Sequence, residues 1–156
     1  MSEGQLYFRY MQEGDIPAVA AIEQAVFSRP WSRQAFAQAM QQDTLFVVAL
    51  KAEAVIGYCG MYCSFGEGEI TNVAVTPGEQ GAGIGRRMME YLLAQAQDAG
   101  ISRVVLEVRV SNERAIHLYE GLGFCSCGVR RNFYDMPRED GMVMALGRMP
   151  DGQYTG

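Results

Sequence analysis

The stretch EQGAGIGRR, residues 79–87, sets glycines at 81, 83 and 85 and runs straight into arginines and an apolar helical pattern. Residues without side chains at the start of a helix leave backbone N–H groups turned outward, where the helix dipole also favours an anion. The chemistry on offer is a phosphate cradle, with Arg86 and Arg87 adding positive charge beside it. Two common cradles fail on identity. A Walker A loop needs lysine where Ile84 follows Gly78 and Gly83, and a dinucleotide fingerprint begun at Gly81 meets Arg86 in place of its third glycine. A glycine-rich turn that merely opens a helix is the other reading of these residues alone.

Further along, two side chains could move protons. Glu107 lies in the apolar run VVLEVRV, where desolvation would raise its pKa toward the working range of a general base. A glutamate on a solvated strand face, or one paired with Arg109, fits the same letters. Tyr119 follows Ala115 and Ile116 on an amphipathic pattern, so from spacing alone it reads as a core aromatic or as a proton donor. Asn112, beside Ser111, could be a second capping residue. His117 is the only histidine and falls between Arg114 and Glu120 on a helix side, which reads as surface. No serine or cysteine therefore has a histidine to activate it, which favours direct transfer over a covalent acyl-enzyme.

The elements that must position these groups alternate in type. LYFRYM reads as a strand, followed by a helix capped at Asp15 with Pro17 in its first turn and a second helix from the cap Ser32 to Met40, the two parted by Pro30. TLFVVAL and AVIGYCGMYC flank KAEA as a hairpin, and EITNVAV follows the turn SFGEGE. After the glycine loop Ile84, Met88, Leu92 and Ala96 fall one turn apart on a helix closed by Gly100. SRVVLEVRV is a near-continuous apolar strand, Ser111 caps a helix over NERAIHLYEGLGF, and the strands FCSCGVRRNF and GMVMAL enclose the loop YDMPRED. The reading is one α/β domain over residues 1–148 with a flexible tail at 149–156.

Composition narrows the partners. Net charge is -5, and of 13 basic residues only Lys51 is lysine, which argues against a broad nucleic-acid surface. No apolar stretch approaches the roughly 20 residues of a membrane span, and MSEGQLYFRY lacks the basic start and apolar run of a leader, so the expectation is a cytoplasmic protein. Cys59, Cys63, Cys125 and Cys127 include no CxxC pair and read as reduced strand residues with no metal.

Gln80-x-x-Gly83-x-Gly85, preceded by NVAV and Pro77 and followed by LEVRVSNERAIHLYEGLGF, resembles the GNAT superfamily of N-acetyltransferases. The resemblance covers residues 5 to 146 and implies the GNAT fold, a mixed central sheet of about seven strands with four helices. It also implies acetyl-CoA as cosubstrate. Its pyrophosphate would lie on Gln80, Gly81, Ala82, Gly83, Ile84, Gly85 and Arg86, its acyl-pantetheine arm along Val73, Ala74 and Val75, with Asn112 a further contact. LEVRVSN, AIHLYEGLGF, RRNFYD and PWS at 30 to 32 are similar to the RimI-type ribosomal-protein alanine N-acetyltransferases. That similarity implies Glu107 as general base, Tyr119 as general acid and the N-terminus of a basic ribosomal protein as acceptor. Three features depart from the commoner pattern: Gly81 where a basic residue is frequent, Phe133 in place of tyrosine, and a short loop after Tyr134. Trp31 and Tyr134, with Asp135 and Glu139, could line the acceptor groove or be ordinary loop packing. Two other functions fit the same motifs: acetylation of lysine or a small amine, and a non-catalytic acyl-CoA-binding module, against which the joint presence of Glu107 and Tyr119 speaks.

Overall fold

The computed structural model describes residues 5–148 and 154–155. In chain order it runs β1 (Leu6–Tyr10), α1 (Ile16–Val26), α2 (Arg33–Met40), β2 (Thr44–Lys51), β3 (Ala54–Ser64), β4 (Glu67–Val75), α3 (Ile84–Asp98), β5 (Arg103–Arg109), α4 (Glu113–Gly121), β6 (Cys125–Tyr134), β7 (Glu139–Arg148) and β8 (Tyr154–Thr155). Seven strands and four helices thus stand in the order that periodicity predicts. The short β8 is an addition: part of the segment read as a loose tail pairs with β7, Gly147 opposite Thr155, while residues 149–153 and 156 lie outside the described residues.

Strand order across the sheet is β1-β2-β3-β4-β5-β7-β6. Every neighbouring pair is antiparallel except β4 and β5, whose parallel arrangement needs a crossover that α3 supplies. This one parallel pair is short. Only Glu67↔Arg103, Gly68↔Val104 and Glu69↔Val105 are in register, and beyond them the two strands part. The divergence begins where β4 carries a bulge: Gly60 of β3 faces Asn72, Met61 faces Ile70, and Thr71 is the extra residue. A bulge bends its strand and sharpens its twist, so β4 turns away from β5 toward its carboxyl end.

Both faces of the sheet are covered, which explains the unbroken apolar run of β2. Val47 and Ala49 face α3 with Met88, Met89, Leu92, Leu106 and Tyr119, while Phe46, Val48 and Leu50 face α1 and α2 with Val19, Phe36 and Tyr58. Gly60 has no side chain because a Cβ there would stand 2.2 Å from the Phe46 ring.

Caps fall close to the expected positions, with two corrections. Ser32 caps α2 as read, its Oγ accepting from Ala35 N–H at 3.1 Å. Asp15 precedes α1, yet its carboxylate turns back to accept from Gln12 N–H at 2.8 Å and from both Arg9 guanidinium nitrogens at 2.7 and 3.0 Å. It closes the single 3-10 turn over 13–15, not the helix. At α4 the cap is Asn112, accepting from Ala115 N–H at 3.2 Å, whereas Ser111 N–H donates to Glu139.

The Arg9 guanidinium, more than the opposing effect of burial, holds the Asp15 carboxyl below its ordinary range. Asp15→Asn is expected to lower stability by roughly 1–3 kcal/mol at neutral pH. A depressed native pKa contributes stability above the unfolded-state value, about 3.9, and loses it as pH falls through the native one. Urea unfolding of the two proteins should therefore converge in acid; a constant gap at every pH would mean that packing, not the ion pair, carries the effect.

Candidate active site

The glycine loop of residues 79–85 joins β4 to α3 and is built for close backbone approach. Gly81 has φ 88° and Gly83 φ 78°, left-handed conformations that side chains resist. Gly83 occupies the N-cap of α3 without any side-chain acceptor, so the first N–H groups of this 15-residue helix are left for a ligand or water. Gln80 Nε2 donates to Val75 O at 3.0 Å and folds the loop onto the end of β4. Lys51 reaches Glu79 at 3.0 Å and ties it to β2. On the far side a Gly85 Cβ would lie 3.8 Å from the Leu118 side chain, an ordinary contact that puts α4 beside the loop.

Between the loop, the β4 edge and α4 lies a cavity of about 360 Å³. Its walls include Val73, Ala74, Val75, Gln80, Gly81, Gly83, Ile84, Gly85, Arg86, Asn112 and Tyr119. Of the residues assigned to a cofactor by resemblance, only Ala82 is outside this lining. A volume of this size suits a ligand's diphosphate and arm, lying outside the carboxyl end of a parallel strand. The loop's uncapped N–H groups and paired left-handed glycines fit an anionic group such as the pyrophosphate of coenzyme A.

The positive charge at the cavity comes from Arg86, as the sequence suggests, and from Arg114, but not from Arg87. Arg87 turns away to lie 5.7 Å over the Phe8 ring on β1. Arg86 donates to Gly121 O at 3.1 Å and so ties the start of α3 to the end of α4. Arg114, from the first turn of α4, lines the cavity together with Arg86, its Nη2 3.6 Å from where a Gly81 Cβ would be. Glu79, Ala115 and Leu118 complete the lining. None of these four is legible from motif spacing, because their placement depends on how α4 packs against α3.

Tyr119 projects from α4 into the same cavity, packed 5.9 Å from the Phe124 ring. It is a core aromatic and a cavity residue at once. Burial, with smaller effects from Cys59 and Tyr134, pushes its phenol well above the ordinary value, so the hydroxyl keeps its proton at neutral pH. Glu107 stands on β5 outside the cavity lining, its side chain 12% exposed. Burial and the neighbouring Glu69 raise its pKa, and Arg130, 3.6 Å away, pulls the other way. The Tyr134 phenol is likewise raised, by burial and then by Glu107, with Arg109 pulling the other way.

Arg109 is not the partner of Glu107. It lies 4.5 Å over the Tyr134 ring, donates to the carbonyls of Pro137 and Asp135 at 2.8 and 3.0 Å, and meets Glu139 at 3.3 Å. It thereby organises the β6–β7 turn. Glu139 is further taken by Ser111 N–H at 2.7 Å, and Asp135 by Arg29 at 2.7 Å, so neither carboxylate stands unengaged at the site. Trp31 packs on Phe36, Phe46 and Tyr62 and does not touch Tyr134 in this arrangement; the Arg29–Asp135 pair is what links their two loops. A second hollow is lined by Tyr62, Ser64, Phe65, Glu67 and Glu69. His117 is exposed on α4. Among the described residues no cluster of histidine, cysteine or acidic side chains could hold a metal, and no helix is long and apolar enough to cross a membrane.

Comparison with known proteins agrees with this geometry. The sequence pattern of the acetyltransferase (GNAT) family matches residues 16–124. The [ribosomal protein bS18]-alanine N-acetyltransferase of Escherichia coli strain K12 is 35% identical over 138 residues, covering 87% of this chain and 93% of the relative. That of Haemophilus ducreyi is 33% identical over 137 residues, covering 86% and 94%. The crystal structure of the ribosomal-protein-S18-alanine N-acetyltransferase from Escherichia coli superposes with a TM-score of 0.87 at 33% identity, covering 92% of this chain and 94% of that one. A mixed sheet parted between its only parallel strands, a glycine loop at a helix start and a matching sequence along most of the chain converge: this protein belongs to the acetyltransferase (GNAT) family and is an N-acetyltransferase.

Proposed function

We propose that the protein transfers an acetyl group from acetyl-CoA directly to the N-terminal α-amine of a ribosomal protein, at alanine or another small first residue. The observation that supports the reading is the cavity between the glycine loop, the β4 edge and α4, with the buried phenol of Tyr119 on its wall and the largely buried carboxyl of Glu107 on β5. Acyl transfer to an amine needs a group that takes a proton from nitrogen and another that gives one to the departing sulfur. The amine nitrogen attacks the thioester carbonyl; its proton passes to Glu107 through water; the C–S bond breaks as Tyr119 delivers its proton to the thiolate. Backbone N–H groups of the glycine loop and Arg114 bind the diphosphate, and the β4 edge from Val73 to Val75 aligns the arm. Acetyl-CoA supplies the activated acyl carbon and the thiolate leaving group.

The acceptor is inferred from the relatives, which act on an N-terminal alanine, and from acidity. An α-amine has a pKa of about 8 against about 10.4 for lysine, so far more of it is neutral at physiological pH and a carboxylate base suffices. An N-terminus also enters as a thin extended chain. Glu67 and Glu69 beside the second hollow suit the basic residues that follow such an N-terminus. They would equally suit a polyamine or lysine, which is the competing acceptor class. A cytoplasmic location accords with this substrate.

Peptides beginning with Ala, Ser, Gly or Met, each also offered with a blocked N-terminus and a free internal lysine, separate these acceptors. The expected result is acetylation of the free α-amine, fastest with alanine, located by mass spectrometry. Labelling mainly on lysine, or faster turnover of polyamines than of any peptide, would move the enzyme to the competing class while leaving its coenzyme A chemistry in place.

A further inference from the structure

Glu23 carries the most deeply buried carboxyl group among the described residues, 2% exposed in the last turn of α1, and the acetyl-transfer chemistry does not use it. No lysine or arginine among the described residues pairs with it. Its two oxygens divide three donors between them. Oε2 accepts from the backbone N–H of Trp31 at 2.9 Å, whereas Oε1 accepts from the Tyr58 hydroxyl on β3 and from Asn72 Nδ2 on β4 at 3.1 Å.

Those donors come from both sides of the reaction. Asn72 is the first residue past the extra Thr71 of the β4 bulge, immediately before Val73 on the cavity edge. Its Oδ1 is buried and has no partner among the described residues, so the side chain is held through its amide nitrogen, by Glu23 with Tyr58 beside it. Trp31 belongs to the loop between α1 and α2, and its ring lies 6.5 Å from Tyr62, which lines the second hollow beside Glu69. A buried carboxyl with no cation is costly, and an apolar residue would fill the same space more cheaply. What an apolar residue cannot do is accept from three directions.

We infer that Glu23 is a positioning residue that sets the Trp31 loop in register with the bulged strand β4, so that the acceptor side is held at a fixed offset from the acetyl-donor side. The inference rests on the acetyl-transfer reading for its kinetic test alone. Glutamine separates positioning from packing, because it has the same shape and only one acceptor oxygen. With that oxygen toward Tyr58 and Asn72, its amide NH2 faces the Trp31 N–H, donor against donor, and the loop is released while the core contacts stay.

Trp31 is the only tryptophan, so its fluorescence reports on this loop without interference. In Glu23→Gln the emission is expected to shift to the red and the acrylamide quenching slope to rise about twofold, with far-UV circular dichroism retained, as a loosened loop exposes the ring. The KM for an alanine-initiated peptide should rise roughly tenfold while that for acetyl-CoA stays within about twofold, a split that a general loss of folded enzyme would not produce. Tyr58→Phe, which removes one donor and leaves the Trp31 N–H bond, is expected to change neither emission nor peptide KM. Should Glu23→Gln not fold, Glu23→Asp, whose shorter stem withdraws from the loop, carries the same expectations. Wild-type emission and peptide KM in the substituted protein, or equal shifts in Tyr58→Phe, would overturn the inference. A wild-type enzyme that acetylates no peptide would overturn the acceptor reading instead, and the fluorescence would still decide the role of Glu23.

Discussion

Glu107→Gln is expected to cut turnover by roughly 100-fold at neutral pH, equivalent to about 2.7 kcal/mol of transition-state stabilisation, with the KM for acetyl-CoA little changed. The carboxyl stands outside the cavity lining, so glutamine removes a proton acceptor without touching the cofactor side. The pH profile carries the sharper test. Burial and Glu69 raise the Glu107 pKa, and the base works only when deprotonated, so activity rises with pH through that elevated value. The acceptor amine adds its own limb, since it too must lose a proton. In the variant the limb belonging to the base should vanish and that of the amine, near a pKa of about 8, should remain. Tyr119→Phe should leave both limbs in place and slow the release of thiol. Near-normal turnover in both variants would remove these two residues from the reaction.

Gly83→Val is expected to abolish saturable coenzyme A binding by calorimetry in a protein that still folds. Gly83 has φ 78° at the N-cap of α3, a conformation that costs an L-residue about 1–2 kcal/mol and a β-branched one more. The loop would abandon it and carry the outward N–H groups out of alignment. A Cβ at this position meets nothing within 4 Å, so the substitution adds no clash in the core and spoils only the space above the helix start. Gly78→Val serves as the comparison. It lies in the same connection, also in open space, without the left-handed conformation and outside the cavity lining, and should bind nearly as well as the wild type. Unchanged affinity in a folded Gly83→Val protein would remove the cradle assignment.

How far the sequence is readable differs between element and site. Periodicity places all four helices, and the uninterrupted apolar letters of β2 follow from its two covered faces. Capping is readable to within a residue: Ser111 and Asn112 are both good caps, and the choice of Asn112 depends on Glu139 drawing the Ser111 N–H into the β6–β7 turn. The glycine loop is legible because backbone geometry is written in residue type. The arginines are not. Arg86, Arg87 and Arg114 look alike on amphipathic helices, and only their surroundings in the fold send Arg87 to Phe8 and leave Arg86, bonded to Gly121 O, and Arg114 on the cavity wall. The stacking of Arg109 on Tyr134 is likewise hidden, since it depends on β7 pairing with β5 as well as with β6. Glu23 did leave a trace: it follows Val19 by one helical turn and adjoins Ile22 on the buried stripe of α1, where a charged residue is out of place.

The parting of β4 from β5 gives the sheet a third border, in its middle. An ordinary sheet has two outer margins, and proteins shield or blunt them because unpaired N–H and C=O groups invite another strand. Here the β5-facing side of β4 beyond Glu69, toward Val75, is such a margin, and it borders the cavity between the glycine loop and α4. What can enter is something thin, extended and furnished with amides at strand-like spacing. A molecule of that kind becomes a structural member of the sheet while it is bound. The enzyme's resistance to unfolding is then tied to the concentration of its own substrate, growing with the logarithm of that concentration once it exceeds the Kd.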